Sequence, residues 1–438
     1  MSDVNKQIDH LLPDSAAIAQ LANSMAAENA GEVAHDLSSD ASEPAEVSAG
    51  KPALEGMAGI PAKPAVYACF LADGTPIIAA TTANLRNALK NRISNQTPAG
   101  KRINYAEIAD TIRFRRVGSA FAASWWYYRT VRTLFPRRYA SMLAWKPAWF
   151  VTLNPDVEFP HFTLSNKLAE APAVNVGPLL SRRKARSILE SIEDLFDLCR
   201  YYDILRQAPN GNPCAYKELG KCPAPCDGSI PMLEYRQQIN AAVGFLSDSR
   251  GARTQWFDDQ TQRIRQAASN QDFRLAAAHK RKLDQADKLA DGKLTEVHDM
   301  DKWKYLIIQR GKTANWIAPF VAGPGWIVPL AEVQDALGVQ AIVHWMKVCR
   351  QDVSAHSMVD VYPVEEVAAL VTYHKYRPRD AGLYIPVDEQ MGAETIAQAI
   401  QFWLNHKGDY DMPEINSANP SAALTADQQP EVGSADQP

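Results

Sequence analysis

The sequence predicts an α+β multidomain chain. Three observations carry that reading: short apolar runs closed by a hairpin turn signal, longer stretches of helical periodicity, and four cysteines clustered between them. At 438 residues and 46% apolar side chains, the chain is long enough for two to four domains and can bury a sizeable core. No apolar run approaches the roughly 18 residues needed to span a bilayer, and the first twenty residues lack a basic stretch followed by an apolar one. This excludes a membrane partner and places the protein in the cytoplasm.

The elements follow in order. Residues 1–60 and 408–438 are acidic, poor in aromatics and rich in Ala, Ser, Glu and Gln, a composition expected to stay disordered, with a frayed helix over Val4–Ala27 as the one exception. Val66–Leu71 and Pro76–Ala80 flank Asp73-Gly74 and read as a hairpin, followed by a helix over Thr82–Ile93. Residues 182–206 have helical periodicity and lead into the cysteines. Met232–Leu246 and Trp256–Leu289 read as helices, the second broken at Ser269-Asn270-Gln271-Asp272. Asp272 is placed as an N-cap, with Phe273, Ala276, Ala277, Leu283 and Ala286 on one face. From Trp303 onward, strand-like runs (Tyr305–Gln309, Trp316–Val321, Gly325–Pro329, Gly382–Pro386) alternate with helical ones (Leu330–Leu337, Ala341–Cys349, Val364–His374, Ala393–Leu404), which predicts a small α+β domain.

Charge is segregated. The net charge is −4, yet residues 56–407 hold 44 basic and 34 acidic side chains, and such a basic body suits a polyanionic partner. Between Ile78 and Lys146 there are thirteen Lys or Arg against Glu107 and Asp110, interleaved with Trp125, Trp126, Tyr127, Tyr128 and Tyr139. Arginine forks bind phosphates and aromatic faces stack on bases. Arg86, Lys90, Arg92, Arg113, Arg115, Arg116, Arg129, Arg132, Arg137 and Arg138 are therefore the candidate nucleic-acid ligands. A blander arrangement, with the aromatics in the core and the arginines as its solvated rim, is compatible with it.

Cys199, Cys214, Cys222 and Cys226 fall as C-x14-C-x7-C-x3-C. Such clustering in a cytosolic chain points to a metal centre, zinc or iron–sulfur, with scattered buried thiols as the alternative. Cys69 and Cys349 lie in apolar runs and read as core thiols. His161, His298, His344 and His374 have no ligand-like spacing.

The run from Cys214 to Cys226, with its Gly220-Lys221-Cys222 step, resembles the cysteine segment of UvrC-type excinuclease subunits, and Val176-Gly177-Pro178 resembles the strand end that precedes it there. The resemblance implies a 4Fe-4S cluster on the four cysteines. Asn270 to Ala277 resembles the UVR helical hairpin, which implies docking to a UvrB-like protein through Phe273, Arg274, Ala277, Lys280 and Arg281. Arg274 stands where the family has an acid, and Lys280-Arg281 where it has an Arg-Asp pair. The N-terminal region is similar to a GIY-YIG nuclease module whose catalytic positions are vacated. Tyr67 keeps the first tyrosine, while Ile78, Thr81 and Ala88 replace the second tyrosine, a lysine and the arginine. No carboxylate lies between residues 111 and 155 to hold Mg²⁺, which the module needs only if it cuts.

The resulting division is a tail (1–60), a degenerate GIY-YIG module (61–165), a linker carrying the four-cysteine centre (166–231), a UVR-like helical hairpin (232–295), a C-terminal α+β domain (296–407) and a second tail (408–438). The function implied is DNA binding of the nucleotide-excision-repair type without intrinsic cleavage. An active structure-specific endonuclease, and an interaction module with a purely structural iron–sulfur or zinc site, are the alternatives.

Overall fold

The computed structural model describes residues 47–48, 60–93, 109–248, 251–294, 297–334, 342–343, 345, 361–377, 382–387 and 392–405. The remainder of both tails, the Val4–Ala27 helix, Cys349, His344 and most of the Ala341–Cys349 helix lie outside the described residues.

The first sheet runs β1 (Val47–Ser48), β4 (Thr111–Arg116), β2 (Ala65–Phe70) and β3 (Pro76–Thr82), all antiparallel. The predicted hairpin joins β2 and β3. Its turn rests on Gly74 at φ +82 and on Asp73, whose Oδ1 accepts the Thr75 N–H at 2.9 Å. β2 is buried along its whole length because it is apolar on both faces. Tyr67 and Cys69 face α1 (Leu85–Ile93) through Leu85 and Leu89, whereas Ala68 and Phe70 face α2 (Ala120–Leu134) through Val131 and Leu134.

The second sheet has the antiparallel order β6 (Thr163–Ser165), β5 (Trp149–Leu153), β7 (Val174–Leu179) and β8 (His298–Asp299). Trp149–Leu153 and Thr163–Ser165, assigned from sequence to the nuclease-like module, are strands of this sheet. Helix α3 (Arg182–Leu195) covers it with Ala185, Ile188, Ile192 and Leu195, and α4 (Met232–Ser247) adds Tyr235, Ile239 and Phe245. The predicted helix over 182–206 stops at 195, since Asp197 takes the left-handed conformation at φ 54. α5 (Ala252–Ser269) and α6 (Phe273–Gly292) form the hairpin, and Asp272 Oδ1 caps α6 by accepting the Leu275 N–H at 2.9 Å.

The third sheet is β11 (Trp326–Pro329), β10 (Trp316–Gly323), β9 (Tyr305–Arg310) and β13 (Leu383–Pro386), with β12 (Val333–Gln334) also on β10. A helix was predicted over 330–337. Val333 and Gln334 instead pair with Ile317 and Trp316, because their backbone groups complete the ladder of β10. Leu306, Ile308 and Val321 pack on α8 (Ala393–Asn405) through Ile396, Ile400 and Trp403. The opposite face, with Ile307 and Phe320, packs on α7 (Val364–Lys375) and on α2 through Phe121, Trp125 and Tyr128. α2 therefore has two partners: one face seals the first sheet and the other enters the core of the third. Gly118, just before it, comes so close to Gly311 that an added Cβ would lie 2.3 Å from the Gly311 carbonyl carbon. No described helix is long and apolar enough to cross a membrane.

Candidate cysteine centre and nucleic-acid interface

The four cysteines are gathered by short turns. After Asp197 the chain reverses, and the Cys199 N–H donates to the Tyr235 hydroxyl of α4 at 3.3 Å. Cys214 begins a single helical turn, Ala215–Glu218, which Gly220 ends at φ 64. Ala224, at φ 57, folds the step from Cys222 to Cys226 and points its N–H at the Cys222 sulfur, 3.4 Å away. The Gly211 N–H donates to the Cys226 carbonyl at 2.8 Å and closes the loop.

All four are free thiols. The Cys199 thiol donates to the Tyr201 carbonyl at 3.5 Å. Its neighbour Cys222, with burial adding to it, raises the Cys199 pKa, while Cys199 lowers that of Cys222. Burial and then the nearby Cys222 raise Cys226, and Cys214 adds a smaller push. The thiols are thus electrostatic neighbours. Among the described residues, however, no three His, Cys, Asp or Glu side chains close to the spacing of a single bound ion. The donor set is soft and all sulfur, the chemistry of zinc and of iron–sulfur clusters. Arg200 and Lys221 both reach Asp194, at 2.6 and 3.5 Å, so the rim of the centre is ionic.

The predicted nuclease positions lie on the first sheet and on α1. Tyr67 is 1% exposed and packs beneath α1. Ile78 is half-buried on β3, Thr81 is exposed at its end, and Ala88 is half-buried on α1. Arg86 and Lys90 are exposed on that helix, the Arg86 Nε donating to the Ile60 carbonyl at 2.8 Å. Arg92 lies on α1, with its side chain outside the described residues.

The arginines of β4 and α2 divide into two groups. Arg116, Arg137 and Arg138 are exposed. Arg113 lies 5.2 Å from the Phe70 ring, and Arg115 is buried 3.7 Å over Trp126. The Arg129 Nε donates to the Tyr362 hydroxyl at 3.1 Å. Arg132 donates at 2.6 Å to Glu366 Oε2, which also accepts from Tyr128 at 2.5 Å, while Oε1 accepts from Tyr139 at 2.7 Å. Burial first, and the Glu366 carboxylate second, push both tyrosine hydroxyls above their ordinary pKa. A carboxylate does reach α2, then, from 238 residues along the chain. Sequence reading missed it, since an acid in the first turn of a helix reads as a dipole partner. Both of its oxygens are engaged, and it stands on the face of α2 turned away from Tyr67.

Residues 148–245 match the family model of the UvrC/Cho excinuclease middle domain, which takes in β5 to β7, α3, the cysteines and most of α4. The chain is related to the UvrC-type family. It is 26% identical over 218 residues to the UvrABC system protein C of Trichlorobacter lovleyi, covering 50% of this chain and 35% of that one. With the UvrABC system protein C of Moorella thermoacetica it shares 23% over 223 residues, 51% of this chain and 36% of the other. With that of Syntrophotalea carbinolica it shares 31% over 96 residues, 22% and 15% respectively. The alignments with the first two span about a third of the length of those relatives. No solved structure matches.

Next to the UvrC-type middle domain, the α5–α6 hairpin presents the residues expected to meet a partner. Phe273, Arg274, Ala277, Lys280 and Arg281 are all exposed, Phe273 by 70%. Of the core face predicted for α6, Ala286 is buried as expected, together with Leu289, whereas Phe273 and Ala277 are exposed, because only the C-terminal half of the helix lies against α3. The histidines have packing partners. His161 stacks on Tyr202, His374 packs edge-on to Phe121, and the His298 Nε2 meets the Tyr305 hydroxyl at 2.8 Å.

Proposed function

We propose that this chain is a DNA-binding protein of the nucleotide-excision-repair type that works without a nuclease of its own. The observation that carries the reading is the match of residues 148–245 to the UvrC/Cho excinuclease middle domain. The absence of cutting is supported by the vacated positions Ile78, Thr81 and Ala88, and by Glu366, which turns both oxygens to the side chains of Arg132 and Tyr139.

Cys199, Cys214, Cys222 and Cys226 would hold a 4Fe-4S cluster, or zinc in its place, cross-linking the chain between α3 and α4. Tyr235 positions Cys199, and Ala224 orients Cys222. The exposed cations Arg86, Lys90, Arg116, Arg137 and Arg138 would face the phosphate backbone, and the α6 surface around Phe273 would dock a UvrB-like protein.

A gel-shift titration over a salt series tests the DNA reading. Duplex or bubble DNA should be retained at low salt, with affinity falling linearly in log–log form as salt rises; no shift at low salt would sink it. With Mg²⁺ or Mn²⁺, nicked, bubble and lesion-bearing DNA should stay intact, whereas cleavage abolished by Tyr67→Phe would restore the nuclease. Anaerobic purification with iron, sulfide and zinc analysis should find iron and sulfide. A colourless zinc protein would replace the cluster with an ion.

A further inference from the structure

A second basic and aromatic surface forms where the UvrC-type middle domain meets the C-terminal domain. Helix α3 opens with Arg182, Arg183 and Lys184, and its first turn has no acid. Cations in a first turn oppose the helix dipole, so this placement costs local stability instead of adding to it. Across the seam, the last turn of α7 and the residues after it bring Lys375, Tyr376 and Arg377.

The two segments meet on aromatic rings. The Nζ atoms of Lys184 and Lys375 lie 5.9 and 5.1 Å from the centre of the same Tyr376 ring. Arg182 lies 5.6 Å over Trp149 of β5, and Arg377 lies 4.3 Å over Tyr373. Arg182, Arg183 and Arg377 are exposed. A shallow crevice beside Lys375 is lined by Pro178, Trp303, Tyr305, Val371, Thr372 and Tyr376. The acid that follows on α3, Glu190, faces Arg186 at 3.7 Å. Rings that hold cationic heads in place lower the entropy lost when those heads meet an anion. The Lys375 Nζ also donates to the Tyr305 hydroxyl at 3.2 Å, so the outward-facing charge of the seam is that of Arg182, Arg183 and Arg377.

We infer that this seam, Arg182, Arg183, Lys184, Lys375 and Arg377, is the main contact with a phosphodiester backbone. The inference rests on the DNA-binding reading above and moves its centre away from α2, where Arg115, Arg129 and Arg132 are engaged by Trp126, Tyr362 and Glu366. Recognition here is by charge on the backbone and is blind to base sequence.

The test is fluorescence anisotropy of a labelled mixed-sequence duplex with the full chain. It compares wild type, the double variant Arg183→Glu with Arg377→Glu, and a charge-matched double variant elsewhere on the surface, Arg206→Glu with Arg263→Glu. The seam variant should bind at least tenfold more weakly at about 100 mM salt, and its plot of log affinity against log salt should be shallower by about 2, since each lost phosphate contact removes about 0.9. Arg183→Gln with Arg377→Gln gives the same result in smaller measure and guards against misfolding, which circular dichroism and thermal melting monitor. Equal losses and unchanged slopes in the seam and charge-matched variants would overturn the seam while leaving DNA binding intact. A wild-type chain with no affinity at low salt would overturn both readings.

Discussion

Helix α2 and the α3–α7 seam both set cations beside aromatic rings, yet they turn them in opposite directions. On α2, Arg132 is drawn inward by Glu366, Tyr128 and Tyr139, and Arg129 by Tyr362. At the seam, Arg182, Arg183 and Arg377 face solvent above Trp149 and Tyr373. The local chemistry is nearly the same. What separates the two is the arrival of α7, whose first turn brings a carboxylate to α2 and whose last turn brings further cations to α3. An arginine-rich, aromatic-rich stretch is therefore turned inward where a distant acid reaches it, as Glu366 reaches Arg132.

Four experiments would break or sharpen this comparison. The largest effect is expected from Gly118→Ala, which forces a side chain into the Gly311 backbone at the junction of the first and third sheets. A loss of about 3 kcal/mol in urea unfolding is expected; an unchanged midpoint would show that the two sheets are not locked together there. Next is Glu366→Ala, which strands Arg132 and two tyrosine hydroxyls and should cost about 2–3 kcal/mol. If it costs less than about 0.5 kcal/mol, the α2 cations are effectively solvated, and the contrast with the seam disappears.

Glu193 of α3 gives the pH-dependent test. Burial, partly offset by Arg200, raises its carboxyl from the ordinary 4.5 to about 7. The folded chain therefore holds a proton that the unfolded chain releases between those values. The stability this confers is complete below 4.5 and is lost as pH rises through about 7. Glu193→Gln should flatten that decline and leave the protein more stable at pH 8, on the order of 2 kcal/mol, read from melting curves across pH 4 to 8. A parallel decline in both proteins would mean that the carboxyl is solvated. The smallest effect belongs to Phe273→Ala, at a ring 70% exposed. Stability should change by no more than about 0.5 kcal/mol, while pull-down of a UvrB-like partner should weaken. A large stability loss would mean that the ring is core and not a docking anchor.

Features set by near neighbours were legible in the sequence. Asp73-Gly74 makes its hairpin because glycine alone accepts φ +82 without cost, and Asp272 caps α6 through a carboxylate three residues from the N–H it accepts. Contacts between segments far apart in the chain were not legible. Val333 and Gln334 carried no strand signal until β10 offered an unpaired edge. Phe273 sat in a convincing apolar face, yet the half of α6 that carries it reaches past the domain it would have packed on.

By itself, the sequence determined the family resemblance of the middle domain, the Asp73-Gly74 hairpin and the capped helical hairpin, each readable from residues within a few turns of one another. Only the tertiary structure decided which cations are available. An arginine's fate depends on whether a carboxylate or hydroxyl from elsewhere reaches it, and that partner is brought close by the packing of sheets and helices hundreds of residues apart, not by any local propensity.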